Sequence, residues 1–306
     1  MPHVRRAVRC ASLVAATLAA AGAARAQANI PQFRGDFGIL SGTLPKPGFY
    51  SSALYSSYEP ENTIAANETA FSHLQPPVNV FSLQLGFTVP AVWAAGQYGF
   101  SIIIPWADLT IPTPDAKPVR SWGFSDIYIQ PMKLGWTFPS ADVVAGFGVY
   151  MPTGRFHDGA NNNTGFGMWS YEMSAGSTVY LGSSHQSSAS ALVAYQVQSH
   201  VEDTDKRAGQ VLTVEGGAGH TLIRHFGQLG VAYYAMWKLT NDQNFNVSPL
   251  FAGKNRMFGV GPEITIPFPA LSDANSVTLR YLVEAGSHSA TQGNTLFVAL
   301  TMGRLP

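Results

Sequence analysis

The sequence has 306 residues with 18 basic and 18 acidic side chains. Only 12% of its residues are charged, about half the share of an average soluble domain, while 30 glycines and 12% aromatic residues are present. Without a strongly basic field, nucleic acid is not expected as a partner. The single cysteine, Cys10, falls in a stretch predicted to be removed, which excludes disulfides and cysteine chemistry from the mature chain.

The N-terminus has the layout of a secretory signal peptide. Arg5, Arg6 and Arg9 precede an uncharged, alanine-rich stretch, and Ala24-Arg25-Ala26 is a small-x-small cleavage site. The apolar stretch, about 14 residues, is too short to span a bilayer comfortably as an anchor helix. We therefore predict a signal peptide over residues 1–26. Its loss removes four arginines and leaves a mature net charge of about −4, from 14 basic and 18 acidic residues.

The mature sequence alternates as β-strands do. In residues 276–286, Leu279, Tyr281 and Val283 share one face, while Arg280 and Glu284 share the other. The mature chain contains no run of 18 apolar residues that would make a membrane-spanning helix. Because a closed barrel satisfies every backbone group between strands, we predict an all-β fold, a transmembrane antiparallel up-and-down β-barrel.

About twelve alternating segments can be counted, an even number as in single-chain bacterial barrels. Short and mostly longer connections alternate between them, which predicts short periplasmic turns and long extracellular loops if the N-terminus starts in the periplasm. The segments are 47–58, 78–90, 97–109, 122–138, 141–151, 165–181, 188–200, 209–224, 227–240, 255–268, 275–286 and 294–304.

The parity of the strands also assigns the charges. Asp126, Glu172, Glu215, Lys238, Glu263, Arg280 and Glu284 all fall on the inward parity, where they avoid the cost of facing lipid. Segment 122–138 changes parity in its middle. Since Pro131 cannot donate to a ladder, we predict a bulge there, which also turns Lys133 inward.

Three parts of the chain follow from these patterns: the signal peptide, residues 27–46, and a barrel over residues 47–306. Residues 27–46 lack alternation and contain Pro31 and Pro45, so they fit either a periplasmic tail or a plug folded into the lumen. The rival fold is a soluble lipocalin-like barrel or sandwich. Such a protein covers its outside with charge, and this chain has too few charges to do so.

Several motifs, taken in order, resemble the outer-membrane proteins of the meta-pathway of phenol degradation type. The resemblance implies an outer-membrane barrel in a Gram-negative bacterium and uptake of hydrophobic, often aromatic, compounds. Barrels of this kind typically end in an aromatic residue that the insertion machinery reads, whereas this sequence ends with Pro306 and has its nearest aromatic at Phe297. The motifs are Gly123-Phe124-Ser125-Asp126 with Pro131 and Trp136, Met151-Pro152-Thr153-Gly154, Asn163-Thr164-Gly165-Phe166-Gly167-Met168-Trp169, Gly259-Val260-Gly261-Pro262-Glu263, and Leu279-Arg280-Tyr281-Leu282-Val283-Glu284-Ala285-Gly286 with Gln292-Gly293.

The favoured function is a channel for small hydrophobic, mainly aromatic, compounds. Inward charges and aromatic residues would line its path, although opposite charges inside a narrow barrel can also pair only to satisfy one another. The candidate residues are Asp126, Tyr128, Lys133, Glu172, Tyr180, Glu215, Tyr234, Met236, Lys238, Glu263, Arg280 and Glu284.

Two alternatives remain: a structural barrel without transport and an outer-membrane enzyme of the phospholipase kind. His185 and Ser187 have the two-residue spacing of such an enzyme but fall in a predicted periplasmic turn, and His220 lacks the serine, with Leu222 in its place. The seven mature histidines form no metal motif, and no metal or cofactor is expected. The expected partners are outer-membrane lipid and lipopolysaccharide, the small hydrophobic substrate and the barrel-insertion machinery.

Overall fold

The structure is a computed structural model that describes residues 35, 37–72, 76–93, 96–111, 119–160, 162–182, 184–222, 227–247, 251, 253–268 and 274–304. The signal peptide predicted over residues 1–26 and most of the segment 27–36 lie outside the described residues. In the part that is described, no helix has the length and apolar character needed to cross a membrane.

Strands account for most of the described chain, and one turn of 3₁₀ helix, Gly38–Leu40, precedes them. The strands are β1 (Gly48–Ile64), β2 (Ala70–Ser72), β3 (Val78–Trp93), β4 (Gly96–Ile111), β5 (Val119–Phe124), β6 (Ile127–Phe138), β7 (Ala141–Met151), β8 (Ser170–Leu181), β9 (Ser187–Gln198), β10 (Val211–Thr221), β11 (Gln228–Lys238), β12 (Arg256–Pro267), β13 (Ser276–His288) and β14 (Ala290–Arg304).

The strands form a closed antiparallel barrel. Each wall strand pairs with its neighbours in chain order, and β14 pairs with β1 from Phe49 opposite Arg304 to Ile64 opposite Ala290. The short β2 pairs with the end of β1, and β5 pairs with the end of β4 in line with β6. Across the described ranges, the wall therefore has twelve strands, which confirms the predicted fold and strand number.

Side chains alternate between an apolar outside and a polar inside. On β13, Leu279, Tyr281 and Val283 are more than 40% exposed, whereas Arg280 and Glu284 between them are no more than 4% exposed. A soluble barrel turns its apolar side chains inward, so this arrangement excludes the soluble rival. The chain is a transmembrane β-barrel of the outer-membrane type.

The connections sort by length, as expected. One end of the barrel, the turn end, carries the spans 94–95, 139–140, 182–186, 222–227 and 268–275 between strands. The opposite loop end carries the mostly longer spans 65–77, 112–118, 152–169, 199–210 and 239–255. The clear exception is the connection 287–293 between the predicted segments 275–286 and 294–304. There β13 and β14 continue to a tight turn at Ser289, which has a φ of 49°.

The predicted bulge at Pro131 is confirmed. Pairing of β6 with β7 shifts register between Ile129 and Met132, and pairing of β4 with β6 shifts between Gly99 and Ser101. Pro131 and Met132 are exposed, while Lys133 places its ammonium 5.1 Å from the centre of the Phe37 ring. The bulge lets the strand present apolar residues outward on both sides of the parity change.

Two predicted strands are wrong at one point each. Segment 122–138 is interrupted at Ser125 and Asp126, because the Asp126 carboxylate accepts backbone N–H groups from the loop 152–169. Segment 165–181 becomes a strand only at Ser170. Gly167 has a φ of 65°, a left-handed conformation that glycine adopts easily and that ends an extended run.

Candidate site in the barrel lumen

The N-terminal segment, residues 37–47, contacts the inner wall before β1 begins. Its backbone is held by charged side chains that point inward. The Phe37 N–H donates to Glu215 Oε2 over 3.4 Å, and the Ile39 N–H donates to Glu263 Oε1 over 3.4 Å. These contacts join residues that are 178 and 224 positions apart in the sequence, so they hold the segment against β10 and β12.

Ile39 sits in a seat made of glycines on β10 and β11. The side chain is 1% exposed. A methyl group added at Gly217 would come within 2.9 Å of Ile39 Cα, and at Gly219 or Gly230 within 2.7 and 2.8 Å of its side chain. The absent side chains at these glycines therefore create the room that Ile39 fills.

The rest of the segment is fixed by hydroxyl groups. Ser190 Oγ donates to the Ile39 carbonyl over 2.7 Å, and Ser41 Oγ lies 3.0 Å from Ser190 Oγ. Farther along, Thr43 Oγ1 is 3.4 Å from Tyr180 Oη, which donates to Asp142 Oδ2 over 2.6 Å. Tyr180, a predicted lumen residue, thus contacts the segment rather than open space.

Arg280 and Glu263 form a buried ion pair across β13 and β12. Arg280 Nε lies 2.6 Å from Glu263 Oε2, and the two side chains are 3% and 6% exposed. The guanidinium also donates to the Gly35 carbonyl and lies 4.9 Å from the centre of the Phe297 ring. The pair therefore neutralises its own charges while holding the backbone of the N-terminal segment.

Glu172 is the centre of a hydrogen-bonded group on β6, β8 and β9. Tyr128 Oη donates to Glu172 Oε1 over 2.9 Å, and Gln196 Nε2 donates to Glu172 Oε2 over 2.9 Å. Gln130 Nε2 donates in turn to Tyr128 Oη over 3.2 Å. The network satisfies both carboxylate oxygens of a group that is 5% exposed.

Glu284 has a comparable set of donors near the loop end. It accepts from Tyr234 Oη, from Tyr58 Oη over 2.9 Å and from the Gly293 N–H over 2.8 Å. Three donors from three other strands tie this carboxylate into the wall. Its geometry is that of a structural anchor.

A cavity of about 320 Å³ lies in the lumen beside the N-terminal segment. Phe37 and Leu40 contribute to its lining from the segment, and residues from each of the twelve wall strands contribute the rest. Its apolar surface comes from Leu54, Ile103 and Phe297 among others. The charged lining side chains are Glu172, Glu215, Glu263 and Arg280.

At the loop end, apolar loop residues fold onto inward side chains of the wall. We call this group the loop layer: Phe156, Phe166, Met168, Val201, Ala208 and Phe245. It packs against a cluster that includes Tyr234 and Met236, each 2% exposed. Lys238, close by in the sequence, forms a buried ion pair of 2.8 Å with Asp242.

Asp126 attaches the loop 152–169 to the wall. Its Oδ1 accepts the Gly154 N–H over 3.0 Å and its Oδ2 accepts the Phe166 N–H over 2.9 Å. Asp126 lies between β5 and β6, outside the strands, and is 2% exposed. Burial raises the pKa of its carboxyl to about 6, because desolvation outweighs the two backbone hydrogen bonds, which lower that pKa.

The predicted lumen residues divide into three groups. Tyr128, Glu172, Glu215, Glu263 and Arg280 line the cavity. Lys133 and Tyr180 contact the N-terminal segment. Asp126, Tyr234, Met236, Lys238 and Glu284 lie in the contacts of the loop end.

Sequence reasoning missed most of the apolar lining of the cavity. Phe37 and Leu40 had no pattern to mark them, because the N-terminal segment does not alternate. Tyr150, Leu192 and Phe297 were detectable, since all three have the inward parity of their strands. Phe297, the aromatic nearest the C-terminus, faces the lumen and is 7% exposed.

The residues weighed for lipid hydrolysis are arranged differently from their sequence spacing. Ser187 Oγ lies 2.9 Å from Nδ1 of His220, opposite it on β10, and His185 lies in the preceding turn with a φ of 52°. Both His220 and its neighbour Leu222 are exposed. Within the described ranges, no group of three or more metal-ligating side chains occurs.

Comparison with known families decides the affiliation of the chain. A family model described as the MetA-pathway of phenol degradation matches residues 73–300. The chain belongs to this family. The match confirms the resemblance noted in the sequence motifs. A comparison with curated proteins finds no match.

One solved structure is similar enough to confirm the barrel fold. The COG4313 outer membrane channel from Pseudomonas putida F1 superposes with a TM-score of 0.72 at 12% identity, covering 90% of this chain and 100% of that one. The β-domain of the Bordetella autotransporter BrkA gives a TM-score of 0.48 at 13% identity, with 85% and 100% of the two chains covered. The KdgM porin gives 0.38 at 11% identity, with 81% and 98% covered. At 12% identity the likeness to the Pseudomonas putida channel concerns the fold alone.

Proposed function

We propose that this protein is an outer-membrane channel for small hydrophobic, mainly aromatic, compounds and that it has no enzymatic role. The observation that carries the proposal is the lumen cavity. It combines aromatic and aliphatic side chains with a few hydrogen-bonding groups, which is the usual composition of a small-molecule site. Its lining draws on the whole circumference of the barrel, as a passage along the barrel axis requires.

The N-terminal segment serves as a plug in this proposal. Its backbone is hydrogen-bonded to Glu215 and Glu263, and Ile39 is seated on β10 and β11, so the segment narrows the lumen next to the cavity. A plug of this kind limits the passage of ions and polar solutes while leaving a site for a compact apolar molecule. It gives residues 27–46 a role in selectivity.

Uptake into lipopolysaccharide-containing vesicles tests the channel. The initial rates of entry of phenol and toluene are compared for vesicles with and without the mature protein, with vesicles containing an unrelated closed barrel as the control. We expect faster entry with the protein. Equal rates for all three preparations would contradict the channel function.

Planar-bilayer recording tests the plug. A chain that lacks residues 37–46 is expected to conduct steadily, because a twelve-strand barrel is wider than the eight-strand barrels whose interiors are filled by side chains. The complete mature chain is expected to be mostly silent. A steady, large conductance from the complete chain would show that the segment does not close the lumen.

The alternative of an outer-membrane lipid hydrolase is favoured by one contact, the Ser187–His220 hydrogen bond at the turn end. Among the described residues, no acidic side chain is hydrogen-bonded to His220. The pair therefore lacks the acidic third member of a catalytic triad in this part of the chain. A phospholipid hydrolysis assay decides the matter. Turnover that is lost in Ser187→Ala would replace the channel proposal by the enzyme.

A further inference from the structure

The charged groups of the lumen cavity are unevenly divided between the two signs. Among the described residues, three carboxylates, from Glu172, Glu215 and Glu263, line it together with one guanidinium, that of Arg280. Carboxylates accept hydrogen bonds and attract cations, so this lining favours a ligand that donates. Membership of the family applies to the barrel as a whole and does not specify the signs of the charges that line its cavity.

The guanidinium is committed to fixed partners. It pairs with Glu263, donates to the Gly35 carbonyl and lies over the Phe297 ring. The ammonium of Lys133 faces the ring of Phe37, and Lys133 is not among the described residues that line the cavity. The carboxylates have partners as well: Glu263 is paired with Arg280, and Glu172 accepts from Tyr128 and Gln196 and interacts electrostatically with Lys133. Three carboxylates against these two cations still leave an excess of negative charge around the cavity, which an anionic ligand would meet.

The carboxylates are also concentrated on one arc of the wall. Glu172, Glu215 and Glu263 come from β8, β10 and β12, which follow one another in space with one strand between each. The arc formed by β14, β1, β3 and β4 contributes no charged residue to the described lining. It supplies Phe297, Leu54 and Ile103 together with the polar Ser52, Gln84 and Thr301, and Arg280 lies on β13 between the two arcs. The cavity thus has an acidic arc and an uncharged, mainly apolar arc.

From this division we infer that the cavity selects aromatic molecules that carry a positive charge or a hydrogen-bond donor and rejects aromatic anions. The ring packs on the apolar arc while the donor or cation meets the carboxylates. The inference rests on the proposed channel function and adds the charge of the substrate to it. Aromatic amines, ammonium compounds and phenols are accepted, and aromatic carboxylates and sulfonates are excluded.

Two ions of fixed charge make the test direct. Benzyltrimethylammonium and benzenesulfonate both carry one aromatic ring and a permanent charge, and benzyl alcohol is the neutral reference. Uptake of the three into vesicles is measured with the wild type. We expect the cation to enter at least about tenfold faster than the anion, since placing like charges together is costly at a desolvated site.

The variant Glu172→Gln/Glu215→Gln removes two charges and keeps the shape of both side chains. It is expected to bring the cation-to-anion ratio close to one, with each ion's rate expressed relative to the rate of benzyl alcohol in the same variant. The matched control, Glu59→Gln/Glu202→Gln, removes two exposed carboxylates and is expected to keep the wild-type ratio. Heat-modifiable electrophoretic migration verifies that each variant folds.

The outcomes separate the inference from the channel function. If benzyl alcohol enters faster with the protein but the anion is taken up as readily as the cation, the charge selectivity is overturned and the channel stands. If none of the three is accelerated, the channel function fails. Calorimetric titration of the detergent-solubilised protein then judges the site alone, and equal binding of the two ions, or none, overturns the inference.

Discussion

The N-terminal segment and the loop layer both pack against the inner wall, but different forces hold them. The segment is attached by hydrogen bonds, two of them from its N–H groups to Glu215 and Glu263 and others with hydroxyl groups such as that of Ser190, and Ile39 is its one deeply buried apolar group. The loop layer is attached mainly by apolar contacts around Met168 and Phe166, and the carboxylates of Asp126 and Asp242 accept backbone N–H groups of its loops. A segment held by ionic groups can be released by removing one charge, whereas an apolar layer requires many contacts to be lost.

Because of this difference, the attachment of the segment and the attachment of the loop layer should respond differently to salt and to pH. The attachment of the segment depends on the pair Arg280–Glu263, which lies inside the wall and is shielded from salt. The attachment of the loop layer responds to pH through Asp126.

Arg280→Leu is expected to have the largest effect. It leaves the Glu263 carboxylate buried without its guanidinium and removes the donor to the Gly35 carbonyl, which should cost about 3–5 kcal/mol. Urea unfolding followed by tryptophan fluorescence in lipid vesicles measures the loss. Limited proteolysis then shows whether the N-terminal segment is released.

The matched control is the double variant Arg280→Leu/Glu263→Leu. Because it removes both charges together, most of the stability should return, as found when buried ion pairs are replaced by apolar residues. Equal losses in the single and the double variant would mean that the unpaired carboxylate is not the cause. Breaking the exposed Asp108–Arg120 pair on the outer wall should leave stability unchanged.

Ile39→Ala is expected to act next, and only on the segment. Truncation empties the seat beside Gly217 and Gly219, at a cost of about 2 kcal/mol or more. Because the wall itself is untouched, the effect should appear as more frequent channel openings in planar bilayers. Leu40→Ala is the control, since Leu40 is 40% exposed to the cavity and loses little packing. Equal opening frequencies in the two variants would show that the packing of Ile39 against β10 and β11 does not hold the segment in place.

The wall could be predicted from the sequence and the two inner regions could not. Parity alone decides whether a strand residue such as Arg280 faces the lumen, so alternation predicted the strands and the inward charges. The contacts of the N-terminal segment follow no period, because Ile39 meets glycines on β10 and β11 far along the chain. No local pattern carries information about such a contact.

The errors in the strands have a similar cause. Asp126 has inward parity, as predicted, but its use of both carboxylate oxygens for loop N–H groups breaks the strand around it. The connection 287–293 was predicted as a loop, and it contains Ser287, Ser289 and Gly293, which are residue types common in turns. Its Gly293 N–H is taken up by Glu284 and the β1–β14 ladder runs through it, so pairing overrides composition.

Asp126→Asn acts on the loop layer and should have the smallest effect on the free energy of unfolding. In the folded protein the pKa of Asp126 is about 6, above its ordinary value of 3.8, so the charged form is disfavoured by folding. The stabilising contribution of the protonated group is complete below about pH 4 and is lost as the pH rises through 6. The wild type should therefore lose about 1–3 kcal/mol relative to the variant between pH 4 and pH 7.

The measurement is the free energy of unfolding of both proteins across this pH range. Asparagine keeps an acceptor for the Phe166 or the Gly154 N–H but has no charge, so its curve lacks the step at pH 6. A difference between the two curves that grows in favour of the wild type as pH rises would mean that the two N–H donors outweigh desolvation. In that case the ionised Asp126 carboxylate would stabilise the attachment of the loop layer, as charged side chains do for the N-terminal segment. The contrast between the two regions would then disappear.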